Sequence, residues 1–286
     1  MAEDGSIDPG TSMGAVRLTV ADPEGARDFY RDAIGLAELD SDSSTIRLGT
    51  DHPVVELVGE PDAPPRPRHS TGLFHLAILV PSRADLARSL QRLVDAGWRL
   101  TGASDHLVSE ALYLNDPEGN GIEIYRDRPR EEWPTENGQI QMSTLPLNLD
   151  GVIGELRRED QDKPAPPGTR IGHVHLNVSD LAAAEAFYSG ALGFDVTVRG
   201  YPGALFVSAG GYHHHLGLNT WVGEGAPPPP AGCRGLREFE VILPGNAQLV
   251  AEQGRLAEAG YEPVRENGTV RVTDPSGNVV LLRTSG

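Results

Sequence analysis

The sequence repeats itself at a fixed spacing, so its fold must be one that a repeated unit can build. The segment ARDFYRDAIGL at 26–36 returns as AEAFYSGALGF at 184–194. The segment NDPEGNGIEIY at 115–125 returns as TDPSGNVVLLR at 273–283. Both pairs are 158 residues apart, so the 286 residues contain two halves that follow one plan.

Each half divides again into two units. A unit opens with an alternating strand, continues with a segment of helical period and closes with shorter strands. The opening strands are AVRLTV from Ala15, FHLAILV from Phe74, HVHLNV from His173 and EFEVIL from Glu238. The sequence therefore predicts an α+β fold made of four βαβββ modules.

The predicted boundaries fall in polar, turn-rich segments, and the proline-rich joins indicate stiff connections. The main divisions are a disordered arm at 1–12, a first half at 13–125, a linker at 126–169 and a second half at 170–286. The individual modules are 13–60, 71–125, 170–222 and 234–284. We expect the linker to carry a short helix and Trp133.

Charge and cysteine content exclude some function classes. The formal net charge is −17 and no basic run offsets it, so we predict that the protein does not bind nucleic acid. Cys233 is the one cysteine, which excludes an intrachain disulfide and fits a reducing cytoplasm. No stretch has the pattern of a signal peptide or a membrane span, so we expect a cytoplasmic protein with no membrane partner.

The stretch SDHLVSEALYLNDPEGNGIEIY, from Ser104 to Tyr125, combines reactive side chains with a strong turn signal. Apolar residues alternate on both sides of the turn, which predicts a strand, a tight turn and a second strand. A hairpin of this kind would hold His106, Tyr113 and Glu123 at fixed separations. The alternative is that Tyr113 is a strand aromatic and Glu123 a solvent-facing residue.

Four such modules resemble the vicinal oxygen chelate superfamily, which includes glyoxalases, bleomycin-resistance proteins and extradiol dioxygenases. The resemblance covers nearly the whole chain, from Ala15 to Arg283. It implies that the modules pair into two cupped-sheet pseudo-barrel domains. It also implies that metal ligands come from the first and last strands of the modules and point into the cup.

The step from each first strand into its helix sets the register of the candidate ligands. The first strands then offer Ala15, His75, His173 and Glu238. The last strands offer Glu56, Glu123, a position near His215, and Leu281. In the duplicate of the hairpin, the turn is kept without a glutamate, which favours a structural role for the turn and a functional one for Glu123.

Donor chemistry favours the pairing of modules two and three. Their cup would hold His75, Glu123 and His173, which is the set of two imidazoles and one carboxylate of non-haem Fe(II) oxygenases. Modules one and four would be left with Ala15 and Leu281, whose side chains cannot bind a metal. Pairing in chain order would give neither cup a ligand set that suits iron. The metal expected here is Fe(II), with Mn²⁺ as an alternative.

The hairpin also carries the signature of extradiol dioxygenases, and the chain is similar to the four-module bacterial catechol 2,3-dioxygenases. The matching positions are His106, Leu112, Tyr113, Asp116, Pro117, Gly119 and Glu123. Ser104 departs from the residues usual at its position. The resemblance implies ring cleavage of a small aromatic diol with O₂, and it leaves a homo-oligomer open.

The resemblance also implies catalytic roles outside the metal set. His215 is the predicted proton-transfer residue, Tyr113 would hydrogen-bond a substrate oxygen, and His106 would orient it. Alternation in YHHHLGLN predicts His213 and His215 on one face and His214 on the other. A surface strand edge is the alternative for this histidine run.

Three more residues are predicted to line the substrate pocket: His175, His213 and Asn219. His175 is also the rival of His173 as a ligand, because it lies two residues further along the same strand face.

Two other functions use the same fold. A glyoxalase-like isomerase or thiol transferase would bind Zn²⁺ or Ni²⁺ through Glu56, His75 and Glu123. A metal-free drug-binding protein would use the cup alone, and the histidines at equal register count against it.

Overall fold

The structure, a computed structural model, describes residues 5–136, 139–160 and 163–285. Both modules of the first half have the predicted order of strand, helix and three strands. Module one contains β1 (Ser12–Val20), α1 (Pro23–Phe29), β2 (Ala37–Ser41), β3 (Thr45–Gly49) and β4 (Pro53–Gly59). Module two contains β5 (Gly72–Leu79), α2 (Arg83–Asp95), β6 (Gly102–Asp105), β7 (Ser109–Asn115) and β8 (Gly121–Asp127).

The connection and the second half follow. The connection contains β9 (Thr135–Glu136), β10 (Gln139–Ile140), β11 (Leu145–Pro146) and α3 (Leu149–Ile153). Module three contains β12 (Arg170–Asn177), α4 (Leu181–Glu185), β13 (Asp195–Val198), β14 (Ala204–Ser208) and β15 (Leu216–Asn219). Module four contains β16 (Gly235–Leu243), α5 (Asn246–Glu258), β17 (Val264–Glu266), β18 (Thr269–Thr273) and β19 (Val279–Thr284).

Helices α1, α2 and α4 begin where the sequence supplies a capping side chain. The side chains of Asp22, Ser82 and Asp180 accept backbone N–H groups three residues further on, at the starts of α1, α2 and α4. Helices α1 and α4 both continue into a turn of π-helix, at Tyr30–Ile34 and Ala186–Ala191. These turns lie in the duplicated segments, so the repeat in sequence is also a repeat in backbone geometry.

The modules pair as the donor chemistry favoured. One sheet has the strand order β11-β6-β7-β8-β5-β12-β15-β14-β13 and joins modules two and three. The other has the order β17-β18-β19-β16-β1-β4-β3-β2 and joins modules four and one. The first strands of paired modules meet antiparallel at the centre of each sheet, β5 with β12 and β1 with β16. Each sheet therefore takes one module from each half of the chain, and the apolar residues between sheets and helices form the core.

The duplicated segments contact each other across modules. The hydroxyl of Tyr30 donates to Asp116, and that of Tyr188 donates to Asp274, at 3.2 and 2.9 Å. Both carboxylates also accept backbone N–H groups inside their own turns. Burial, together with the neighbouring carboxylate, raises the pKa of both tyrosines well above the usual range, so each stays a donor. The Asp-Pro turn is therefore a docking point for the preceding module, with or without a glutamate after it.

Two segments differ from their predicted character. The predicted disordered arm is packed from residue 5 onward, because Ile7 is buried and its N–H donates to the carbonyl of Gly193. Residues 1–4 of that arm lie outside the described residues. The predicted linker does contain a short helix, but it is also part of the fold: β11 adds to the edge of β6, and Val152 is fully buried. None of the helices within the described residues combines the length and the apolar character that a membrane span requires.

Candidate metal centre

Three side chains meet in the cup of modules two and three. Nε2 of His75, on β5, lies 3.0 Å from Oε2 of Glu123, on β8. Nε2 of His173, on β12, lies 3.1 Å from the same oxygen and 3.3 Å from Nε2 of His75. All three residues are buried. The structure thus brings together the three residues that the sequence predicts as ligands.

This triangle of atoms fits one face of an octahedral metal site. Bonds of about 2.1 Å to nitrogen or oxygen place neighbouring octahedral ligands about 3.0 Å apart. Two imidazoles and one carboxylate, with the opposite positions open, form the donor set of non-haem Fe(II) oxygenases. The residues present therefore fit the iron that the sequence resemblance implies.

The surroundings keep these side chains in the states that bind metal. Burial lowers the pKa of His173 to about 4, although Glu123 beside it acts in the opposite direction, so the imidazole is neutral. Burial opposes ionisation of Glu123, but the two neighbouring histidines outweigh it and hold the pKa well below the usual range. Neutral imidazoles and an ionised carboxylate are the forms that coordinate a cation.

His106 and Tyr113 line the cavity above this cluster. Nδ1 of His106 lies 2.7 Å from the carbonyl oxygen of Ser143, and Nε2 lies 2.7 Å from the Tyr113 hydroxyl. A carbonyl only accepts, so Nδ1 of a neutral His106 carries the proton and Tyr113 donates to Nε2. Burial and the charge of Glu123 raise the pKa of Tyr113 well above its usual range, which keeps this hydroxyl protonated.

A strained turn aims His106 at the cavity. The next residue, Leu107, has φ of 70°, a left-handed conformation that costs a non-glycine residue roughly 1–2 kcal/mol. The side chain of Asp105 accepts the Leu107 N–H at 2.9 Å, and Arg128 holds that carboxylate at 2.6 Å. Local hydrogen bonds thus maintain a backbone geometry that the sequence alone would not indicate.

The histidine run does not follow the predicted strand alternation. Gly210 and Gly211 have φ of 59° and 66°, and β15 begins only at Leu216. The run therefore lies in a bend, where counting by twos does not assign faces. His214 lines the cavity, and its ring centroid is 4.1 Å from that of His173.

His215, the predicted proton-transfer residue, lies behind the cavity wall. Its Nδ1 accepts the N–H of Ala209 at 3.1 Å and lies 3.1 Å from the hydroxyl of Ser208. Burial lowers its pKa to about 3, so it is a neutral structural acceptor. The structure thus places His214, and not His215, among the residues that line the cavity. Burial, with the nearby His173 contributing, also lowers the pKa of His214 well below its usual range.

The three predicted pocket residues do not lie together in the structure. His175 lines the cavity, and burial lowers its pKa well below the usual range. Asn219 is fully buried outside the cavity, where its side chain accepts the N–H of Trp221 at 3.0 Å. His213 is also outside, bonded to Asp127 at 2.8 Å. Of these three residues, His175 is therefore the one that lines the cavity.

The carboxylate position of module three is a glycine. In the sheet, Gly217 is the partner of His175, just as Glu123 is the partner of Ala77. Gly217 is therefore the module-three counterpart of Glu123, for which the sequence predicted a position near His215. A Cβ at Gly217 would come within 2.8 Å of the His175 ring. Because Gly217 has no side chain, the His175 ring can occupy this part of the cup.

The cavity has a volume of about 420 Å³ and an aromatic rim. Phe74 and Trp221 are 40% and 46% exposed, and their ring centroids are 5.1 Å apart. Segment 142–144 of the connection forms another wall, where the Thr144 hydroxyl lies 3.0 Å from that of Tyr201. Sequence reasoning missed these residues because nothing in their spacing links the connection to module three.

The second cup, between modules one and four, is filled by an arginine. Arg17 is paired in the sheets with Glu56 and Glu238, and its guanidinium bonds to both carboxylates. Ala15 and Leu281 occupy the positions of His173 and Glu123, as the repeat predicted. Glu56 therefore belongs to this ion-pair cluster and does not join His75 and Glu123, so the glyoxalase-type ligand set is not assembled.

Known proteins resemble this chain in sequence. A model of the Glyoxalase/Bleomycin resistance protein/Dioxygenase superfamily matches residues 12–124 and 170–282. A catechol-2,3-dioxygenase of Bacillus subtilis (strain 168) is 44% identical over 276 residues, which cover 94% of this chain and 96% of that protein. Biphenyl-2,3-diol 1,2-dioxygenase 3 of Rhodococcus globerulus is 32% identical over 177 residues, covering 60% of this chain and 80% of that protein.

Solved structures share the fold. Glyoxalase I from Zea mays superposes with a TM-score of 0.58 over 96% of this chain and 92% of that one, at 18% sequence identity. At that identity, the likeness concerns the arrangement of modules and not the reaction.

Proposed function

The chain belongs to the glyoxalase/bleomycin resistance protein/dioxygenase superfamily, and on this basis we propose that it is an extradiol dioxygenase that opens a catechol-type ring with O₂. The observation that carries the proposal is the cluster of His75, Glu123 and His173 below an aromatic-rimmed cavity. The catechol-2,3-dioxygenase relative supports the same reaction.

These three residues would hold Fe(II), with Mn²⁺ as the alternative ion. When bound, such an ion brings the diol and O₂ within bonding distance of each other and makes the diol hydroxyls more acidic. One catechol and one O₂ give one ring-opened product that contains both oxygen atoms.

The protein's own groups would move and hold protons. His214 is neutral, lines the cavity and lies against His173, so it is placed to take a proton from a diol hydroxyl. Tyr113 stays protonated and offers a hydroxyl oxygen to the substrate, while His106 fixes its orientation.

The cavity would also orient the ring and exclude water. His175 lines one wall, close to the rim residues Phe74 and Trp221, whose centroids are 5.0 and 5.3 Å from the His175 ring. An aromatic ring can pack edge-to-face against such side chains, which favours planar substrates. The proposed partners are therefore a small aromatic diol and O₂.

The test is the stoichiometry of the reaction. Anaerobically purified protein, loaded with Fe(II), is mixed with catechol and a measured amount of O₂. We expect one O₂ consumed per catechol, and a ring-opened product whose mass equals the sum of both reactants. Conversion of a glutathione hemithioacetal without O₂ uptake would instead show a glyoxalase. Saturable catechol binding without turnover would show a binding protein.

A further inference from the structure

A line of hydrogen bonds runs from the cavity to the protein surface through two adjacent histidines. Nδ1 of His214 lies 2.8 Å from Nδ1 of His213, and Nε2 of His213 lies 2.8 Å from Oδ1 of Asp127. His213 is fully buried, whereas the Asp127 side chain is 25% exposed. Asp127 ends strand β8, four residues after Glu123. The line therefore connects the cavity wall with solvent at the end of a ligand-bearing strand.

The direction of each hydrogen bond follows from Asp127. An ionised carboxylate only accepts, so Nε2 of His213 carries the proton that it donates. Nδ1 of a neutral His213 then has no proton and must accept from Nδ1 of His214. This leaves the Nε2 lone pair of His214 free, on the ring edge turned away from His213. That form of His214 is the one able to accept a proton in the cavity.

The surroundings of His213 protect this arrangement. The rings of Tyr212, Trp133 and Tyr125 lie 4.1, 5.2 and 6.1 Å from the His213 ring. Because these rings enclose it, water does not compete for the bond to His214. The Tyr212 hydroxyl lies 3.0 Å from Oδ2 and 3.2 Å from Oδ1 of Asp127, so it donates to the same carboxylate as His213.

We propose that Asp127 is a positioning residue that acts through His213 to hold His214 in the tautomer with its Nε2 lone pair towards the cavity. The proposal rests on the proposed function, because it assigns a second task to the same site. The arrangement also gives the accepted proton a route to solvent.

The route balances in protons. A diol hydroxyl gives its proton to Nε2 of His214, whose Nδ1 proton moves to Nδ1 of His213. The Nε2 proton of His213 then moves to Asp127, where solvent can remove it. Both imidazoles end neutral, in the opposite tautomers, and no oxidant or reductant is needed.

The tautomers can be read directly by NMR of the imidazole nitrogens in the full-length protein, made with labelled histidine and containing Zn²⁺ in place of iron. In the wild type we expect a proton on Nδ1 of His214 and none on Nε2. Asp127→Asn should lose this fixed tautomer, because a carboxamide can donate as well as accept. Tyr212→Phe is the matched control: it removes another hydrogen bond to the same carboxylate and should leave the His214 tautomer unchanged.

Steady-state kinetics of the Fe(II)-containing variants provide a second test of the positioning role of Asp127. Asp127→Asn should lower kcat by about 10–100-fold, the usual cost of removing a group that orients a functional side chain, with little change in KM or iron content. A proton on Nε2 of His214 in the wild type would overturn the proposal, as would an unchanged tautomer in Asp127→Asn. The NMR measurement needs no turnover and can also be made on the metal-free chain, so its failure is distinct from failure of the proposed dioxygenase activity.

Discussion

The Nε2 atoms of His75 and His173 face each other at 3.3 Å, although 98 residues separate them in the chain. They meet because β5 and β12, the first strands of modules two and three, pair antiparallel at the centre of one sheet. Two ring nitrogens at this distance need a proton or a cation between them, and Glu123 supplies the negative charge that favours a cation.

The ligand assignment predicts different outcomes for two histidines on one strand. His173→Ala should lose iron together with activity, because a set of three ligands is reduced to two. His175→Ala should keep its iron, since the His175 ring is not among the three clustered side chains. The measurement is iron per chain after anaerobic reconstitution, and each variant is compared with the wild type.

A matched control comes from the second cup. Glu56→Gln changes a buried carboxylate that bonds to Arg17, so its iron content should equal that of the wild type. Loss of iron in Glu56→Gln or in His175→Ala, with iron retained in His173→Ala, would contradict the assignment.

The histidine run predicts a second contrast. His214→Ala should retain iron and lose ring cleavage by about 10²–10⁴-fold, the usual contribution of a positioned acid–base group. His215→Asn keeps an acceptor for the Ala209 N–H and should cleave catechol at nearly the wild-type rate. Initial rates of O₂ consumption at saturating catechol distinguish the two variants. A normal rate in His214→Ala would show that another group moves the proton.

The hydrogen bond between the hydroxyls of Thr144 and Tyr201 joins the connection to module three beside the cavity. Removing it with Thr144→Val should loosen this wall and raise KM for catechol by roughly 2–10-fold, as expected for the loss of about 0.5–1.5 kcal/mol, with kcat little changed. Tyr201→Phe should have the same effect, and the double variant should be no worse than either single one. Additive effects in this cycle would show that the two hydroxyls act separately.

Arg17 is predicted to stabilise the second cup by pairing with Glu56 and Glu238. Arg17→Met leaves the carboxylates of Glu56 and Glu238 with only their outer partners, Arg47 and Arg271, and should lower the free energy of unfolding by about 1–3 kcal/mol. Arg31→Met removes a fully exposed pair with Asp32 and should leave the unfolding transition nearly unchanged. Urea unfolding of both variants, followed by circular dichroism, provides the comparison.

The repeat in the sequence predicted the α+β modules. The repeat, together with donor chemistry and the family resemblance, predicted which three side chains cluster in one cup. A count from the end of each first strand located His75 and His173, because that count runs along a strand and crosses no turn. The turn before Glu123 is fixed by its own aspartate, so the glutamate position could be read as well.

Counting residues along a strand did not predict which histidines face the cavity at a point where the backbone is no longer extended. Gly210 and Gly211 turn the chain just before the histidine run, so His214 reaches the cavity and His215 does not. The wall formed by segment 142–144 depends on a contact between the connection and module three, about 57 residues further on. Contacts of that kind arise from tertiary packing and leave no periodic signal in the sequence.

We propose that one Fe(II), held by His75, Glu123 and His173, makes this protein a ring-cleaving dioxygenase. The most direct test is to titrate the metal-free protein with Fe(II) under anaerobic conditions and then measure O₂ uptake with catechol at each ratio. We predict that activity rises in proportion to iron and reaches its limit at one ion per chain. Activity that is absent at every ratio, or that is independent of added iron, would contradict it.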